Sequence, residues 1–406
     1  MISVDATSFF IVTLTAAVAA LIASHVPRRF APPVVVLELL LGIIVGPDVL
    51  NAAQPDDFIQ FLSNLGLGML FFFAGYEIDF QRIKGLPLKL GAWGWVVSIA
   101  LAYGIGEILQ ATGVVVSFLY VGSALATTAI GTLIPILRDS GELRTRFGTY
   151  LLAAGAAGEF APILLVTLVL STQNPLSEAA ILVAFIVLAI AVALLSTRWT
   201  GRDWAALERT LESSSQLGVR LAVLLIFGLV GLASKLGLDL LLGGFVAGMI
   251  VRVALRGREV EVFESKLTAV GFGLLIPFFF VTSGMMFDLN ALTSSVGALL
   301  RLPLFLGLFL VVRGIPALLL YRQELSAVDR RALAFFSATQ LPLVVAITTI
   351  ATETGHMKDY TAAALVGAAM LSTLIYPFVG LALRARSRRS GETGPAPAAA
   401  SEPAPA

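Results

Sequence analysis

The chain of 406 residues is 58% hydrophobic and only 13% charged, whereas a soluble protein of this length carries about 25% charged residues. This composition excludes an ordinary soluble protein and predicts an all-α polytopic membrane protein. The absence of cysteine excludes disulfides, iron–sulfur clusters and thiol catalysis. With only two histidines, a His-based metal centre is not expected, and neither a cofactor nor a nucleic-acid partner is predicted.

Apolar stretches long enough to cross a hydrocarbon core of about 30 Å recur along nearly the whole chain. They predict about thirteen membrane-spanning segments. These lie near residues 7–25, 32–47, 58–80, 88–110, 114–137, 147–171, 177–197, 216–235, 238–255, 266–287, 299–321, 329–354 and 360–384.

The positive charges indicate an orientation. Most of the 27 Lys and Arg residues fall in loops after odd-numbered segments or in the C-terminal tail. By the positive-inside rule, the N-terminus lies outside and the C-terminus in the cytoplasm of a cell (inner) membrane. The tail, residues 385–406, is rich in Arg and then in Pro and Ala. It is predicted to be disordered, with its arginines near anionic lipid.

Two stretches of the first half recur in the second. LELLLGIIVGP in segment 2 resembles LDLLLGGFVAGM in segment 9, and FFFAGYEIDF in segment 3 resembles FFFVTSGMMFDL in segment 10. Gly75 and Asp79 are spaced like Gly284 and Asp288. The alternative is a chance recurrence in a chain rich in Leu, Phe and Gly.

The matched stretches lie an odd number of segments apart, so the copies enter the membrane from opposite sides. We therefore predict two inverted repeats of six segments, over about 7–171 and 216–384, joined by a linker helix at 177–197. Together they form a transmembrane domain over residues 1–384. Inverted repeats are typical of alternating-access secondary transporters.

Segments 5 and 12 occupy matching repeat positions, and both contain polar residues and a proline. Proline removes a backbone donor and frees a carbonyl one turn earlier. Freed carbonyls and hydroxyls are the hard oxygen ligands that a small cation needs. We predict two discontinuous helices, although simple kinking or helix packing is the alternative for either one. Their polar lining consists of Thr127, Thr128, Thr132, Thr339 and Gln340.

Glu159 is the only charged residue in the apolar stretch TYLLAAGAAGEFAPILLVTLVL. An ionised carboxylate in hydrocarbon costs several kcal/mol, roughly 3 on insertion scales. The residue is therefore either a protonated packing residue or part of an ion site. Burial favours the protonated carboxyl, so a proton would compete with a metal ion. A carboxylate that holds one proton or one monovalent cation in turn acts as an exchanger.

Two other charged residues lie in apolar segments. Arg313 is central in segment 11, and its guanidinium keeps its proton. We expect it to face the interior and neutralise Glu159 or helix C-terminal ends; snorkelling to a surface is the alternative. Glu38 opens the LLLG run of segment 2, where it lines a cytoplasmic funnel or marks the membrane edge.

These features resemble the monovalent cation:proton antiporter superfamily, especially its second branch of sodium/proton antiporters and potassium efflux systems. The resemblance covers about residues 7–384. It rests on LLLGIIVGP, on TTAIGTLIPILRDSGELRTRFG, and on the acidic and basic positions of segments 6 and 11. It implies a homodimer in the lipid bilayer, with a scaffold domain and a moving core domain that contains segments 5 and 12, crossed beside the acid.

Carried over by position, the resemblance implies a role for each of four residues. Thr127 and Thr128 fall at the segment-5 crossover as cation ligands. Glu159 falls at the proton and cation site, which is the only expected metal position. Arg313 falls at the basic core position.

This chain departs from the family pattern at one place. The family usually has a polar residue followed by Asp in segment 6, where this chain has Gly158-Glu159. One carboxylate beside a permanent positive charge makes electroneutral one-for-one exchange of Na⁺ or K⁺ for H⁺ the simplest arithmetic. The alternatives are an anion or organic-solute symporter on the same fold and a transport-inactive sensor or partner subunit. An enzyme is not expected, because no nucleophile–base pair or metal cluster is apparent.

Overall fold

The computed structural model of the chain describes residues 5–26, 33–78, 80–169, 175–196, 210–211, 213–236, 240–255 and 261–389. Regular structure within these residues is entirely helical, which confirms the all-α class. A π-helical turn, Gly271–Leu275, lies between an α-helix that ends at Val270 and one that begins at Ile276. The helices are α1 Ala6–His25, α2 Val34–Val45, α3 Asp57–Glu77, α4 Phe80–Ile83, α5 Leu86–Ala111, α6 Phe118–Leu125, α7 Ile130–Asp139, α8 Arg146–Val169, α9 Pro175–Ser196, α10 Leu217–Lys235, α11 Leu240–Ala254, α12 Glu261–Val270, α13 Ile276–Met285, α14 Leu289–Thr293, α15 Val296–Leu320, α16 Ala327–Ser337, α17 Pro342–Glu353 and α18 Asp359–Arg389.

Nine helical stretches of the described residues are long and apolar enough to cross a membrane. Helices satisfy their own backbone hydrogen bonds, which is why apolar sequence in a membrane takes this form. Three more apolar helices are shorter, and they coincide with the predicted segments 2, 5 and 9. The total of thirteen spans remains a prediction. Two of the three shorter stretches are the helices Val34–Val45 and Leu241–Ala254, and the third is the stretch Phe118–Ile134, which contains α6 and the start of α7.

Side-chain caps define where several of these helices begin. Asp5 accepts a hydrogen bond from the Thr7 backbone N–H at 2.9 Å, and Asp56 accepts one from Ile59 at 2.7 Å. An N-cap oxygen of this kind satisfies one of the backbone donors that the first turn leaves unpaired.

The C-terminal helix corrects the predicted start of the tail. The sequence predicts disorder from residue 385, but α18 continues to Arg389. Arg384 and Ser387 are buried there. Arg384 also pairs with Glu142 and Asp329 of the same polypeptide. Residues 390–406 of the predicted tail lie outside the described residues.

The chain divides into two compact units. The first comprises Met1–Asp79, Pro162–Leu299 and Asp359–Ala363, and the second comprises Phe80–Ala161, Leu300–Lys358 and Ala364–Ala406. In the first unit, apolar side chains from α1, α3, α13 and the loop before α3 form a buried core. It contains Val12, Ala53, Ile59, Phe278, Val281 and Met285.

Within the first unit, α2 and α13 cross at Gly42 and Gly284. A Cβ on Gly42 would overlap the carbonyl of Val281, three residues before Gly284. A Cβ on Gly284 would overlap the carbonyl of Leu39, three residues before Gly42. The absence of both side chains lets the two backbones approach closely, as small residues do in membrane helix pairs.

The helices α3 and α11 of the same unit cross in the same manner at Gly75 and Gly248. A Cβ on Gly248 would overlap the carbonyl of Phe72, and one on Gly75 would overlap the carbonyl of Phe245. Each carbonyl again lies three residues before the partner glycine. The sequence matches α2 with α11 and α3 with α13, so each crossing joins one helix of the first half to one of the second. Asp79, which belongs to the matched stretch, lies outside the described residues.

Candidate functional site

Segments 5 and 12 are both broken near their centres, and both breaks belong to the second unit. The first break separates α6, which ends at Leu125, from α7, which begins at Ile130. The second separates α16, which ends at Ser337, from α17, which begins at Pro342. The backbone N–H of Ala129 donates to the carbonyl of Thr339 at 2.9 Å, so the two breaks lie against each other.

The two breaks have different local causes. Pro342 is the first residue of α17, a position at which the missing backbone donor costs nothing. In segment 5, the break comes at residues 126–129, which include Thr127 and Thr128, while the proline of this segment, Pro135, lies inside α7. There the backbone N–H of Thr128 donates to the carbonyl of Gly158 on α8 at 2.8 Å. A tertiary hydrogen bond therefore replaces the helical one at this point.

Glu159 lies directly after that Gly158 carbonyl and is only 2% exposed. A backbone hydrogen bond from Gly131, in the first turn of α7, reaches its carboxylate. Helix N-termini favour negative charge, because their backbone N–H groups are unpaired and the helix dipole is positive there. The second oxygen, Oε2, has no hydrogen-bond partner among the described residues. Buried polar atoms are rarely left unpaired.

Arg313, on α15, is 4% exposed and reaches the same break. Its Nε donates to the Thr128 hydroxyl at 2.9 Å. One terminal nitrogen donates to Ser98 Oγ at 3.1 Å, and the other to the Ala154 carbonyl at 3.1 Å. The hydroxyl of Thr128 donates in turn to the carbonyl of Ser337, the last residue of α16, at 2.6 Å.

The guanidinium therefore faces the interior of the second unit and acts on a helix C-terminal end through Thr128. Its hydrogen bonds within the described residues go to neutral oxygens. Of the two targets that the sequence suggests for Arg313, the structure brings it to the helix end, while Glu159 is bonded at the N-terminus of α7.

Gln340 links the two breaks through its side chain and is fully buried. Its Nε2 donates to the carbonyl of Leu125 at 3.0 Å. Its Oε1 accepts from the hydroxyl of Thr127, also at 3.0 Å. The backbone of Gln340 is held by two residues of α18: Ser372 Oγ accepts from its N–H and donates to its carbonyl, and Thr373 donates to the same carbonyl.

The remaining predicted polar residues of the second unit are also buried at or beside the breaks. The single hydroxyl proton of Thr127 is shared between the Ala124 carbonyl and Gln340 Oε1, each 3.0 Å from the hydroxyl oxygen. Thr132 donates to the carbonyl of Ala129 at 2.9 Å, and Thr339 donates to Phe335 at 3.3 Å. The five predicted lining residues therefore lie at or beside the two breaks of the second unit, and their role as a cation site stays a prediction.

Four further polar residues take part that sequence reasoning did not select as site residues. They are Ser98, Ser337, Ser372 and Thr373. The hydroxyl of Ser337 has no hydrogen-bond partner within the described part of the chain. Each is a small polar residue in an apolar helix, and such residues are so common in membrane helices that only their contacts distinguish them.

Glu38 belongs to the first unit and is not part of the site just described. It lies in α2 and is 4% exposed, one turn before the Gly42 crossing. Whether it lines a funnel, as one interpretation of the sequence holds, stays a prediction.

The second unit also holds a buried ionic cluster, formed by residues outside the two breaks. Arg384 of α18 donates to Glu142 Oε2 through Nε at 3.1 Å and through a terminal nitrogen at 2.9 Å. Its other terminal nitrogen contacts Asp329 Oδ1. The guanidinium also stacks over the Phe147 ring, 4.4 Å from its centroid. All three charged side chains are at most 7% exposed.

The arrangement at the breaks can perform one kind of chemistry. A buried carboxylate with one unpaired oxygen needs a proton or a cation, because water is excluded and ionised groups are costly to bury alone. Hydroxyl and carbonyl oxygens at the two breaks are of the kind that suits a hard cation. An all-helical membrane chain with broken helices around such a group is typical of secondary transporters.

The chain belongs to the sodium/hydrogen exchanger family. The family model for the transmembrane part of sodium/hydrogen exchangers matches residues 13–381. The protein is therefore a multi-pass membrane protein of a cation/proton antiporter family, in agreement with the resemblance seen in the sequence.

Individual relatives agree with this assignment. The chain is 24% identical over 372 residues to the Na⁺/H⁺ antiporter of Enterococcus hirae, covering 89% of this chain and 94% of that protein. It is 26% identical over 371 residues to YjbQ of Bacillus subtilis, named as a candidate Na⁺/H⁺ antiporter, covering 86% of this chain but only 58% of YjbQ. It is 24% identical over 293 residues to the Na⁺/H⁺-K⁺ antiporter GerN of Bacillus cereus, covering 69% of this chain and 72% of that protein.

A solved structure shares the fold. The sodium proton antiporter MjNhaP1 of Methanocaldococcus jannaschii, solved at pH 8, superposes with a TM-score of 0.60 at 17% sequence identity. The match covers 94% of this chain and 96% of that one. At this identity the likeness concerns the fold alone.

Proposed function

We propose that the protein is a secondary active antiporter that exchanges Na⁺ or K⁺ for H⁺ by alternating access. The observation that carries the proposal is the Glu159 carboxyl, buried beside two broken helices with Oε2 unpaired among the described residues. Oε2 takes a proton or a cation, and it cannot hold both. The names of the relatives support Na⁺ and K⁺ as the exchanged cations.

The charges of the second unit support a one-for-one, electroneutral cycle. Glu159 is the acid at the breaks. The Arg313 guanidinium donates its hydrogen bonds to Thr128, Ser98 and Ala154. Arg313 stays charged throughout the cycle, so only the Glu159 carboxylate exchanges a proton for a cation. One cation moves for each proton.

The two threonines of the segment-5 break are unequal as cation ligands. The Thr128 oxygen accepts a bond from the Arg313 guanidinium, and a neighbouring positive charge weakens its attraction for a cation. The Thr127 hydroxyl donates to neutral acceptors only, so its oxygen lone pairs can still coordinate an ion. We assign Thr127 as the stronger ligand beside Glu159.

The wider arrangement follows the expectations from the sequence. The reciprocal crossings of α2 with α13 and of α3 with α11 support two inverted repeats, and the distribution of Lys and Arg supports a cytoplasmic C-terminus. The protein acts as a homodimer in the cell (inner) membrane, with the second unit as the moving core and the first as the scaffold.

Proton flux in proteoliposomes tests this function. The purified protein is reconstituted with a pH-sensitive dye inside, and Na⁺, K⁺ or Li⁺ is added outside. Cation-driven alkalinisation of the interior is expected for the wild type and for Glu107→Gln, which alters an exposed carboxyl of α5. Glu159→Gln should abolish the signal. Equal signals from wild type and Glu159→Gln would remove Glu159 from the mechanism, and a solute-driven signal without a cation requirement would favour a symporter.

A further inference from the structure

The C-terminal end of α6 is a place where a second cation could bind. The carbonyls of the last helical turn have no helical partners and carry the negative end of the helix dipole. Leu125 is the last residue of α6, and its carbonyl points into the break. Together with the Thr127 hydroxyl, it forms the kind of oxygen pair that attracts a small hard cation.

Gln340 occupies this place. Its Nε2 donates to the Leu125 carbonyl, and its Oε1 accepts the Thr127 proton, both at 3.0 Å. A carboxamide can make these two bonds at once because it carries a donor and an acceptor on one carbon. It brings no net charge, so it satisfies the helix end without needing an ion.

The Gln340 side chain is also held rigidly in this position. It is fully buried, and its own backbone N–H and carbonyl are bonded to Ser372 and Thr373 of α18 at 3.0–3.1 Å. A residue fixed at both ends does not swing away to admit an ion. The amide is a permanent part of the break.

We infer that the Gln340 carboxamide fills, as a neutral hydrogen-bond donor, the negative end of α6 that a cation would otherwise occupy, and so limits the exchanger to the one cation held by Glu159. Gln340 is a positioning and specificity-determining residue in this account. The inference rests on the proposed function, and it adds the reason why a site with two broken helices takes a single ion.

Replacing the donor with a carboxylate should turn this position into a cation site. In Gln340→Glu, an oxygen replaces Nε2 and faces the Leu125 carbonyl. Two oxygens at that distance repel each other unless a proton or cation lies between them. Binding of ²²Na⁺ to the purified protein, counted per polypeptide at a pH where carboxyls are ionised, measures the result directly.

We expect a defined count for each of four proteins. The wild type binds one Na⁺, and Glu159→Gln binds none. Gln340→Glu binds two, and the double variant Glu159→Gln/Gln340→Glu binds one, held at the new position. One Na⁺ for Gln340→Glu together with none for the double variant would overturn the inference. Failure of the wild type to bind or exchange any cation would instead overturn the proposed function.

A neutral variant keeps the inference testable if the carboxylate variants do not fold. Gln340→Met has a similar length but removes the donor to the Leu125 carbonyl, which is then free to join the Thr127 oxygen as a cation ligand. The ratio of the KM for Na⁺ to the KM for K⁺ should then change by about threefold or more, because added protein oxygens replace water around the ion. A purely structural defect slows both cations alike. An unchanged ratio in a folded Gln340→Met protein would contradict the inference.

Discussion

Gly158 and Arg313 are in direct contact, and the contact exists because Gly158 has no side chain. A Cβ on Gly158 would lie 2.5 Å from a terminal nitrogen of Arg313 and 2.7 Å from the Thr128 hydroxyl oxygen. Real Cβ atoms do not approach other atoms so closely. The resemblance leads us to expect a polar residue at position 158, where this chain has glycine. The Arg313 guanidinium occupies the space that such a side chain would need.

Adding a side chain at this position should displace Arg313 from Thr128. We expect Gly158→Ala to destabilise the protein by about 1–3 kcal/mol, the usual cost of overpacking, and to slow exchange at least about tenfold. Gly158→Asn, which restores a polar residue typical of the family, should be worse because it is larger. Thermal unfolding in detergent and proteoliposome exchange measure the two effects.

Gly104→Ala is the matched control for this prediction. A Cβ on Gly104 of α5 has no atom within 4 Å, so the change should be neutral or stabilising by up to about 1 kcal/mol. If Gly158→Ala behaves like Gly104→Ala, the Arg313 guanidinium has room to move and the contact is not a constraint.

The buried ionic cluster of the second unit should be intolerant of losing its cation alone. Arg384→Met leaves Glu142 and Asp329 buried without their guanidinium partner, which typically costs about 3–5 kcal/mol. The measurement is the change in unfolding free energy in detergent. Arg386→Met, at an exposed position of the same helix, serves as the control.

Neutralising the whole cluster should restore much of that loss. The triple variant Glu142→Gln/Asp329→Asn/Arg384→Met removes the unpaired charges together with their partner. A triple variant less stable than Arg384→Met alone would mean that the carboxylates have other roles that the guanidinium does not explain.

The two glycine crossings of the first unit should respond alike to substitution. Gly75→Ala and Gly284→Ala each place a Cβ on a backbone carbonyl of the partner helix, and backbone cannot move aside as a flexible side chain can. We expect each to destabilise by about 1–3 kcal/mol. Gly228→Ala on α10, where a Cβ meets nothing within 4 Å, should not. Tolerance at only one crossing would argue against their equivalence.

Glu324, in the loop between α15 and α16, should make a pH-dependent contribution to stability. Hydrogen bonds from Tyr150 and Arg146, each 2.5 Å long, hold the pKa of this carboxyl below its ordinary value, with burial opposing them. The folded state therefore favours the ionised form. The resulting stability is complete above the unfolded-state pKa of about 4.3 and is lost as the pH falls through the lower folded-state pKa.

Glu324→Gln isolates this contribution. The difference in thermal stability between wild type and Glu324→Gln should be constant near neutral pH and should shrink as the pH drops below about 4. A difference that stays constant down to the most acidic condition at which both proteins remain folded would contradict the assigned pKa shift.

Much of the second unit could be predicted from residue pattern alone. The two broken segments, the buried acid and the interior arginine are visible in the sequence because charged and polar residues are costly in apolar helices. The partner of Arg313 was not visible, since Glu159 and a helix end were equally reasonable. The resemblance put the first break at Thr127 and Thr128, but its cause was not apparent, because nothing local indicates that Thr128 bonds to Gly158 on another helix.

Composition, hydropathy and the placement of polar residues therefore determined by themselves that the chain is helical, crosses a membrane and carries an acid among interrupted helices. These properties follow from the cost of burying each residue type in hydrocarbon, which depends on the residue and its neighbours in sequence. Tertiary structure alone decided that Arg313 donates to Thr128 in the space left by Gly158. It also decided that Gln340 donates to the last carbonyl of α6. Those pairings join residues from about 150 to more than 200 positions apart, and only packing of the helices brings their hydrogen-bonding groups within reach.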